Sequence, residues 1–371
     1  MFKVAIDTHW QLLSCEGDPL MPRLTSLLVG IQRTGTLAAA CRSSGLSYRY
    51  AWGLLREGDR AFGQPLVESR RGTGAHLTAL GERLAWADQR IAARLKPMLD
   101  SLASEVESEI ERALSTAKPV LRLQASHGFA VEAVRQYMVD HGMPIDLKYR
   151  DSDELIGVLA DRRCELIGLH LPVGELEQPA AAHYAANMDP DWHMIHLASR
   201  RQGLVVAPGN PKRIVALGDL VRDDVRFVNR QPGSGTRVTF DLALQQAHVD
   251  ASGIEGYEIA EYTHAAVAAY VGSGMADVGF ALELPARRFG LDFVPILTER
   301  YFFVCRTDFP TEPMGEAILE VLRRPELHAL ISALPGYDPV DAGRMERVGD
   351  VFPIPKRTRA KNAAARLRAS A

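Results

Sequence analysis

Apolar residues recur at three- and four-residue steps as far as about Ile110, then give way to short apolar runs alternating with helical stretches. The first texture predicts helices, the second strands threaded between helices. Phe2 to Leu13 reads as a short strand segment, followed by a turn around Gly17, Asp18 and Pro19. A helix from about Leu24 to Arg33 carries Leu24, Leu27, Leu28 and Ile31 on one face. Thr36 is placed to cap a second helix with Leu37, Ala40 and Cys41 inward, and Gly45 ends it. Ser47 caps a third, which buries Ala51, Leu54 and Leu55 and runs to roughly Phe62. Tyr48, Arg49, Tyr50 and Trp52 are then left near its exposed N-terminal half, the part of a recognition helix that reaches base edges.

Leu66 and Val67 precede Arg70, Arg71, Gly72, Thr73, Gly74 and a returning Leu77, which predicts a hairpin able to lie close to a phosphate backbone. Helix, turn, helix and hairpin in this order predict a winged helix-turn-helix. The local charge agrees: Pro22 to His76 holds eight Arg, no Lys and three acidic residues, 8 minus 3 or +5, within a chain of net charge −3. A basic footprint confined to one module is what a DNA contact surface requires.

The run TGTLAAACRSSGLSYRYAWGLLREGDRAFGQPLVESRRGTGAHLTALGERL resembles the N-terminal domain of the molybdate regulator ModE and, more distantly, of LysR-type transcriptional regulators. The resemblance covers about the first quarter of the chain. It implies that Ser47, Tyr48, Arg49 and Trp52 lie on the recognition helix and Arg70 and Arg71 in the wing.

After the hairpin, Thr78 is placed to cap a long helix whose apolar residues, among them Leu84, Ile91, Leu95, Met98, Leu102, Val106 and Ile110, step by three or four. One small domain cannot bury so long a stripe, so part of it is expected to meet the same helix of a second subunit. Pro97 predicts a kink or break near Leu95 to Pro97.

From Val120 the pattern reads VLRLQA, helix, IDLKY, helix, ELIGLHL, then more loosely GLVVAP, VRFVN, a helix opened by QPGSGTR, ADVGFAL and ERYFFVCR. Such alternation predicts a parallel sheet covered on both faces, with ligands beyond the carboxyl ends of the strands. Ser126, His127, Gly128 and His170 sit at those ends. The order suggests two lobes, the chain crossing near residues 197 to 203 and returning near 299 to 304. The expected organisation is α/β with residues 1–81 as the winged domain, 82–117 as linker and dimerisation helix, 118–345 as a two-lobed ligand-binding domain, and 346–371 as a basic tail. Lobe I takes about 118–198 and 300–345, lobe II about 199–299.

In the stretch Asn229 to Arg237 a strand ends, glycines turn the backbone, and a helix begins at Ser234 to Arg237. Amides, two hydroxyls and two guanidiniums would surround one point, which is how an oxyanion is held without a metal. FVNRQPGSGTR resembles the RxxxSGT-like segment of periplasmic oxyanion-binding proteins of the molybdate and tungstate type, and ADVGFAL resembles a later strand of the same proteins. Residues Leu121 to Leu334 thus resemble a type II periplasmic-binding-protein domain of the subgroup fused to ModE-like DNA-binding domains. The candidate ligand residues are Ser126, His127, His170, Ser234, Thr236 and Arg237, with Thr263 at the start of a later helix. Hydroxyl pairs are common after the first strand of oxyanion binders, whereas here Ser126 is followed by His127. The effector is therefore open between molybdate, tungstate and a small carboxylate such as formate.

Ordinary globular composition, with 47% hydrophobic and 24% charged residues, and a start lacking a basic-then-apolar leader place the chain in the cytoplasm by expectation, with no membrane partner. Cys15, Cys41, Cys164 and Cys305 form no CxxC pair, and His127, His170 and His264 no HxH or HxxxH spacing, so neither metal nor cofactor is indicated. No GxSxG and no base paired with a carboxylate at recognisable spacing argue for an enzyme. The expectation is a non-enzymatic, one-component regulator, a homodimer or higher homo-oligomer on double-stranded DNA; the rivals are an enzyme and an architectural DNA-binding protein.

Overall fold

The computed structural model describes residues 3–8, 10, 12–13, 19–20, 23–70, 74–114 and 119–354. Arg71, Cys15 and the basic tail from Lys356 lie outside the described residues. β1 (Leu12–Leu13) and β2 (Pro19–Leu20) pair antiparallel. Of the strand expected over Phe2 to Leu13, the described residues 3–8 carry no regular structure. Val4 instead donates its N–H to Glu107 Oε1 at 2.9 Å.

The winged domain comprises α1 (Leu24–Thr34), α2 (Leu37–Ser44), α3 (Tyr48–Phe62), β3 (Val67–Arg70) and β4 (Gly74–Leu77). Thr36 Oγ1 accepts from Ala39 N and Ser47 Oγ from Tyr50 N, both at 3.2 Å, so each N-cap satisfies an orphan donor of its helix. Leu24, Leu27, Leu28, Ile31, Leu54 and Leu55 meet in one apolar core. The hairpin is docked on the α1–α2 turn: Ala75 N donates to Gly35 O at 3.0 Å. Gly74 has φ +90°, and a Cβ there would meet Gly35 O at 2.4 Å, so only glycine fits.

α4 (Ala79–Leu114) spans 36 residues and passes through Pro97 without a break. Its first turns belong to the winged core, where Ala85 is buried and Gln89 Nε2 donates to Gln32 Oε1 at 2.7 Å. Proline lacks the N–H that would pair with the carbonyl four residues back, that of Ala93. Thr263 Oγ1 takes that place, donating to Ala93 O at 3.0 Å. A hydroxyl from a distant loop thus supplies the donor that the helix is missing.

Beyond α4 the chain builds lobe I from β5 (Leu121–Ala125), α5 (Phe129–Asp140), β6 (Ile145–Tyr149), α6 (Ser152–Ala160), β7 (Leu166–Pro172) and α7 (Glu177–Ala185). β8 (His193–Val206) carries it into lobe II, made of β9 (Phe227–Arg230), α8 (Gly235–Gln246), β10 (Ala260–Glu261), α9 (His264–Gly272) and β11 (Val278–Leu282). β12 (Asp292–Cys305) brings it back, and helices Pro313–Leu322 and Pro325–Ser332 join the lobe I core. The strand order is β10-β9-β11-β8-β12-β7-β5-β6. β6, β5 and β7 are parallel, as are β10, β9 and β11, and apolar clusters pack on both faces. The sheet is not parallel throughout: β8 runs antiparallel to β11 and β12, and β12 antiparallel to β7. A chain that enters one lobe on a long strand and returns on its neighbour must reverse direction there. Both crossings fall on these two strands.

Candidate functional site

The carboxyl ends of strands from both lobes open on one cavity of ≈ 660 Å³. Four helices start at it: α5 after Ser126 and His127, α6 after its N-cap Asp151, α8 after Ser234, and α9 after Thr263. Each N-terminus presents partial positive charge, and α5 and α6 have no side-chain cap on their first amides, so their convergence favours a bound anion. Two caps are closed by hydroxyls: Ser234 Oγ accepts from Arg237 N at 3.2 Å and Thr263 Oγ1 from Ala266 N at 2.8 Å.

Arg230, the last residue of β9, is buried and lines the cavity. Its Nε donates to Glu261 O at 3.2 Å and its Nη2 to Tyr262 O at 3.0 Å. Among the described residues no carboxylate stands within ion-pair distance of it. Burial chiefly, and the neighbouring Arg200, pull its pKa down to about 10 against the opposing effect of Asp151 across the cavity lining, which still leaves it charged at neutral pH. A buried cation without a paired carboxylate is costly unless an anion completes the set.

Ser126, His127, His170, Ser234, Thr236 and Thr263 all line this cavity. Arg237 does not. Its guanidinium turns back along α8 to Asp241 Oδ1 at 3.2 Å and lies over the Tyr257 ring at 4.0 Å, while Nη1 donates to Arg230 O. At the head of a helix only some of the first-turn side chains face the strand ends, and Arg237 faces its own i+4 neighbour instead. Thr236 Oγ1 accepts from Gln202 Nε2 at 3.3 Å, and Thr263 supports α4, so these hydroxyls already have partners.

The three histidines are held toward the neutral form; His264 Nδ1 accepts from Leu282 N at 3.3 Å, whereas His127 Nδ1 is buried without a hydrogen-bond partner. Burial, then Arg230, depresses His127 to about 3 and holds His264 well below the ordinary histidine range. His170 is also lowered, by burial first, although its Nδ1 stands 2.9 Å from Glu299 Oε2. Glu299 in turn pairs with Arg200 Nε, and all three side chains are buried where β7, β8 and β12 lie side by side, with His170 reaching the cavity lining. A histidine–carboxylate pair therefore exists that spacing alone did not suggest. Its other nitrogen faces the backbone of Gly235, where a Cβ would meet Nε2 at 2.9 Å, and among the described residues no serine or cysteine is hydrogen-bonded to it. Also among the described residues, no group of three or more metal-ligating side chains gathers.

The sequence reading missed the role of α4, which forms one wall of the cavity through Arg94, Leu95, Met98, Ser101 and Leu102. It touches both outer strands of the sheet. On lobe I, Ser104 Oγ accepts from Leu147 N at 2.8 Å and donates to Ile145 O at 3.3 Å, while Ser101 Oγ accepts from Tyr149 N at 3.0 Å. These hydroxyls pair the free edge of β6. On lobe II, Arg94 pairs with buried Glu261 of β10 and Trp86 packs on Gly272 and Phe289. Part of the apolar stripe expected to meet a second subunit is thus turned toward the protein's own cleft. Serines among apolar positions of a helix were the available signal.

On the winged domain, Ser47, Tyr48, Arg49, Tyr50 and Trp52 are exposed along the start of α3, with Arg56 and Arg60 following. Arg70 ends β3, paired in register with Gly74.

In sequence comparisons, residues 135–323 match the family model of the PBP superfamily domain. The uncharacterized protein YvgK of Bacillus subtilis is 32% identical over 199 residues, 53% of this chain and 64% of YvgK. The molybdenum-pterin-binding protein MopA of Rhodobacter capsulatus is 29% identical over 204 residues, 52% of this chain and 76% of MopA. The transcriptional regulator ModE of Yersinia pestis is 33% identical over 88 residues, 23% of this chain and 34% of ModE. Since residues 135–323 are 189 of 371, just over half of the chain, this protein belongs to the PBP superfamily, its two-lobed domain joined through α4 to a winged helix-turn-helix.

Proposed function

We propose that this protein is a one-component transcriptional regulator whose winged domain binds a double-stranded operator, two copies reading two half-sites, and whose two-lobed domain binds a small anion. The continuity of α4 carries this reading. Its first turns lie in the winged core and its middle walls the cavity. A ligand that favours one cleft geometry therefore acts on the helix that bears the DNA-reading head, and it shifts the equilibrium only by its differential affinity for the two arrangements. Arg230 and four helix N-termini support an anionic effector. Molybdate fits the similarity to the molybdenum-pterin-binding protein MopA; tungstate or formate would meet the same donors. Tyr48, Arg49 and Trp52 are assigned to base edges, Ser47 to capping beside them, and Arg70 and Arg71 to phosphates. An enzymatic role has less support, because among the described residues no serine or cysteine is hydrogen-bonded to His170 of the His170–Glu299 pair.

The test is a thermal-shift screen of the full chain against molybdate, tungstate, sulfate, phosphate, formate and small organic acids, repeated with Arg230→Ala and Arg230→Lys. Saturating effector at about 100 times its Kd should stabilise the wild type by about 2.7 kcal/mol. Arg230→Ala should lose that shift, and Arg230→Lys should keep part of it. If no anion raises the melting temperature, or if Arg230→Ala responds as the wild type does, the anion reading fails.

A further inference from the structure

The cavity is much larger than the ion that its donors would hold. At ≈ 660 Å³ it equals the liquid volume of roughly twenty waters at about 30 Å³ each. That falls within the range of sites for organic ligands, ~300–1,000 Å³. A tetrahedral oxyanion held by Arg230 and the helix N-termini would leave most of it to water.

Beside those donors, α4 adds apolar side chains to the wall. Leu95, Met98 and Leu102 stand at i, i+3 and i+7 of α4, on one face of the helix, and all three line the cavity. Leu95 is 37% exposed, Leu102 45% and Met98 62%, so a substantial apolar surface faces the cleft without protein packed on it. Methionine beside two leucines gives a surface that adapts to an irregular partner. The charged lining is balanced, with Arg94, Arg150 and Arg230 against Glu105, Asp151 and Glu154, 3 minus 3 or zero. A dianion would bring two charges into a neutral lining. A single carboxylate would place one at Arg230, and a hydrocarbon arm would use the wall that an inorganic ion leaves wet.

We infer that the effector is an organic monocarboxylate whose apolar arm packs on Leu95, Met98 and Leu102, which makes α4 the specificity-determining wall of the site. The inference rests on the anion-binding reading above and narrows it. One helix then both discriminates the ligand and holds the winged domain, so that selectivity and signal share the same side chains. The rival occupant of this apolar face is a second copy of the chain.

Titration calorimetry of the full chain with formate, butyrate, hexanoate, octanoate, molybdate and tungstate tests this, with sedimentation of each variant alongside. In the wild type, affinity should rise about fourfold for each methylene buried, up to the length at which the arm fills the wall. Met98→Ser and Leu102→Ser should each flatten that dependence to less than twofold per methylene, with sedimentation unchanged. The inference is overturned if molybdate or formate binds wild type as tightly as hexanoate, or if the chain-length dependence survives in both variants. A changed oligomeric state with the dependence intact assigns the face to a second copy and overturns it equally. Because formate and molybdate are in the same series, the outcomes are distinguishable: inorganic binding lost in Arg230→Ala leaves the anion reading standing without the apolar arm, whereas no binding by any anion removes both.

Discussion

The winged domain and the cleft solve opposite problems. Among the described residues from 23 to 77, every side chain in the buried core is apolar, and Tyr48, Arg49 and Trp52, assigned to base edges, stand outside it. Around the cleft, by contrast, Arg200, Arg230, Glu261, Glu299, His170 and His264 are all buried. A surface group can be removed without leaving anything unpaired, whereas a buried charge cannot. Folding and function should therefore be separable in the winged domain and inseparable at the cleft.

The largest effect expected from this difference is at Glu299. It lies between Arg200 and His170 with no exposure, and neutralising it leaves the Arg200 guanidinium buried without its counter-charge. Glu299→Gln should lose about 3–5 kcal/mol of stability, read from the denaturant midpoint of the two-lobed domain. A variant as stable as the wild type would mean that the network contributes little and that the contrast is drawn wrongly.

Next comes Thr263→Val, which keeps the shape of the side chain and removes two hydrogen bonds: the cap on Ala266 N and the donor to Ala93 O beside Pro97. A loss of about 2 kcal/mol is expected, and it should be smaller in a Pro97→Ala background, where the helix regains its own donor. Equal losses in the two backgrounds, measured by thermal melts of the double-mutant cycle, would show that Thr263 does not stand in for the proline.

These positions show what a sequence makes legible. Thr36 and Ser47 were readable as caps, and Ser234 and Thr263 as helix starts, because capping is local: the acceptor and the amide it serves are three residues apart. The apolar periods of α1, α2 and α3 were readable for the same reason. The Arg200–Glu299 pair lies almost a hundred residues apart in sequence, joined only by the register of β8 with β12, and no local pattern announces it. In FVNRQPGSGTR both guanidiniums were visible, but which of them faces the strand ends depends on where the helix turn falls: Arg230 does and Arg237 does not. The stripe on α4 was visible too. Periodicity shows that a face is apolar and is silent on whether a partner chain or the chain's own cleft covers it.

A smaller effect should follow from pH. His127 has a folded-state pKa of about 3, against about 6.5 for an unfolded histidine, so between those values the unfolded chain binds the extra proton. The stability it contributes is complete above about pH 6.5 and is lost progressively as the pH falls toward 3. From pH 7 to 5.5 the loss should be about 1 kcal/mol from this residue, and His264, also depressed, adds in the same direction. Denaturant midpoints at the two pH values should fall on acidification in the wild type and fall less in His127→Asn. A midpoint that rises with acid would contradict the neutral-histidine assignment.

The smallest effect on stability, and the sharpest test of the contrast, is expected at Arg49. It is exposed in the first turn of α3, no hydrogen bond or ion pair holds it among the described residues, and alanine is at least as good a helix former. Arg49→Ala should therefore change stability by no more than about 0.5 kcal/mol. Its effect should appear only against DNA. An arginine on a base edge contributes about 1–3 kcal/mol of discrimination, so the variant should lose roughly ten- to a hundredfold in operator affinity while its affinity for random DNA at the same salt barely moves. Loss of both affinities together would reassign Arg49 to a phosphate. A melting temperature several degrees lower would show that folding and DNA reading are coupled in the winged domain as well, and the separation between the two regions would not hold.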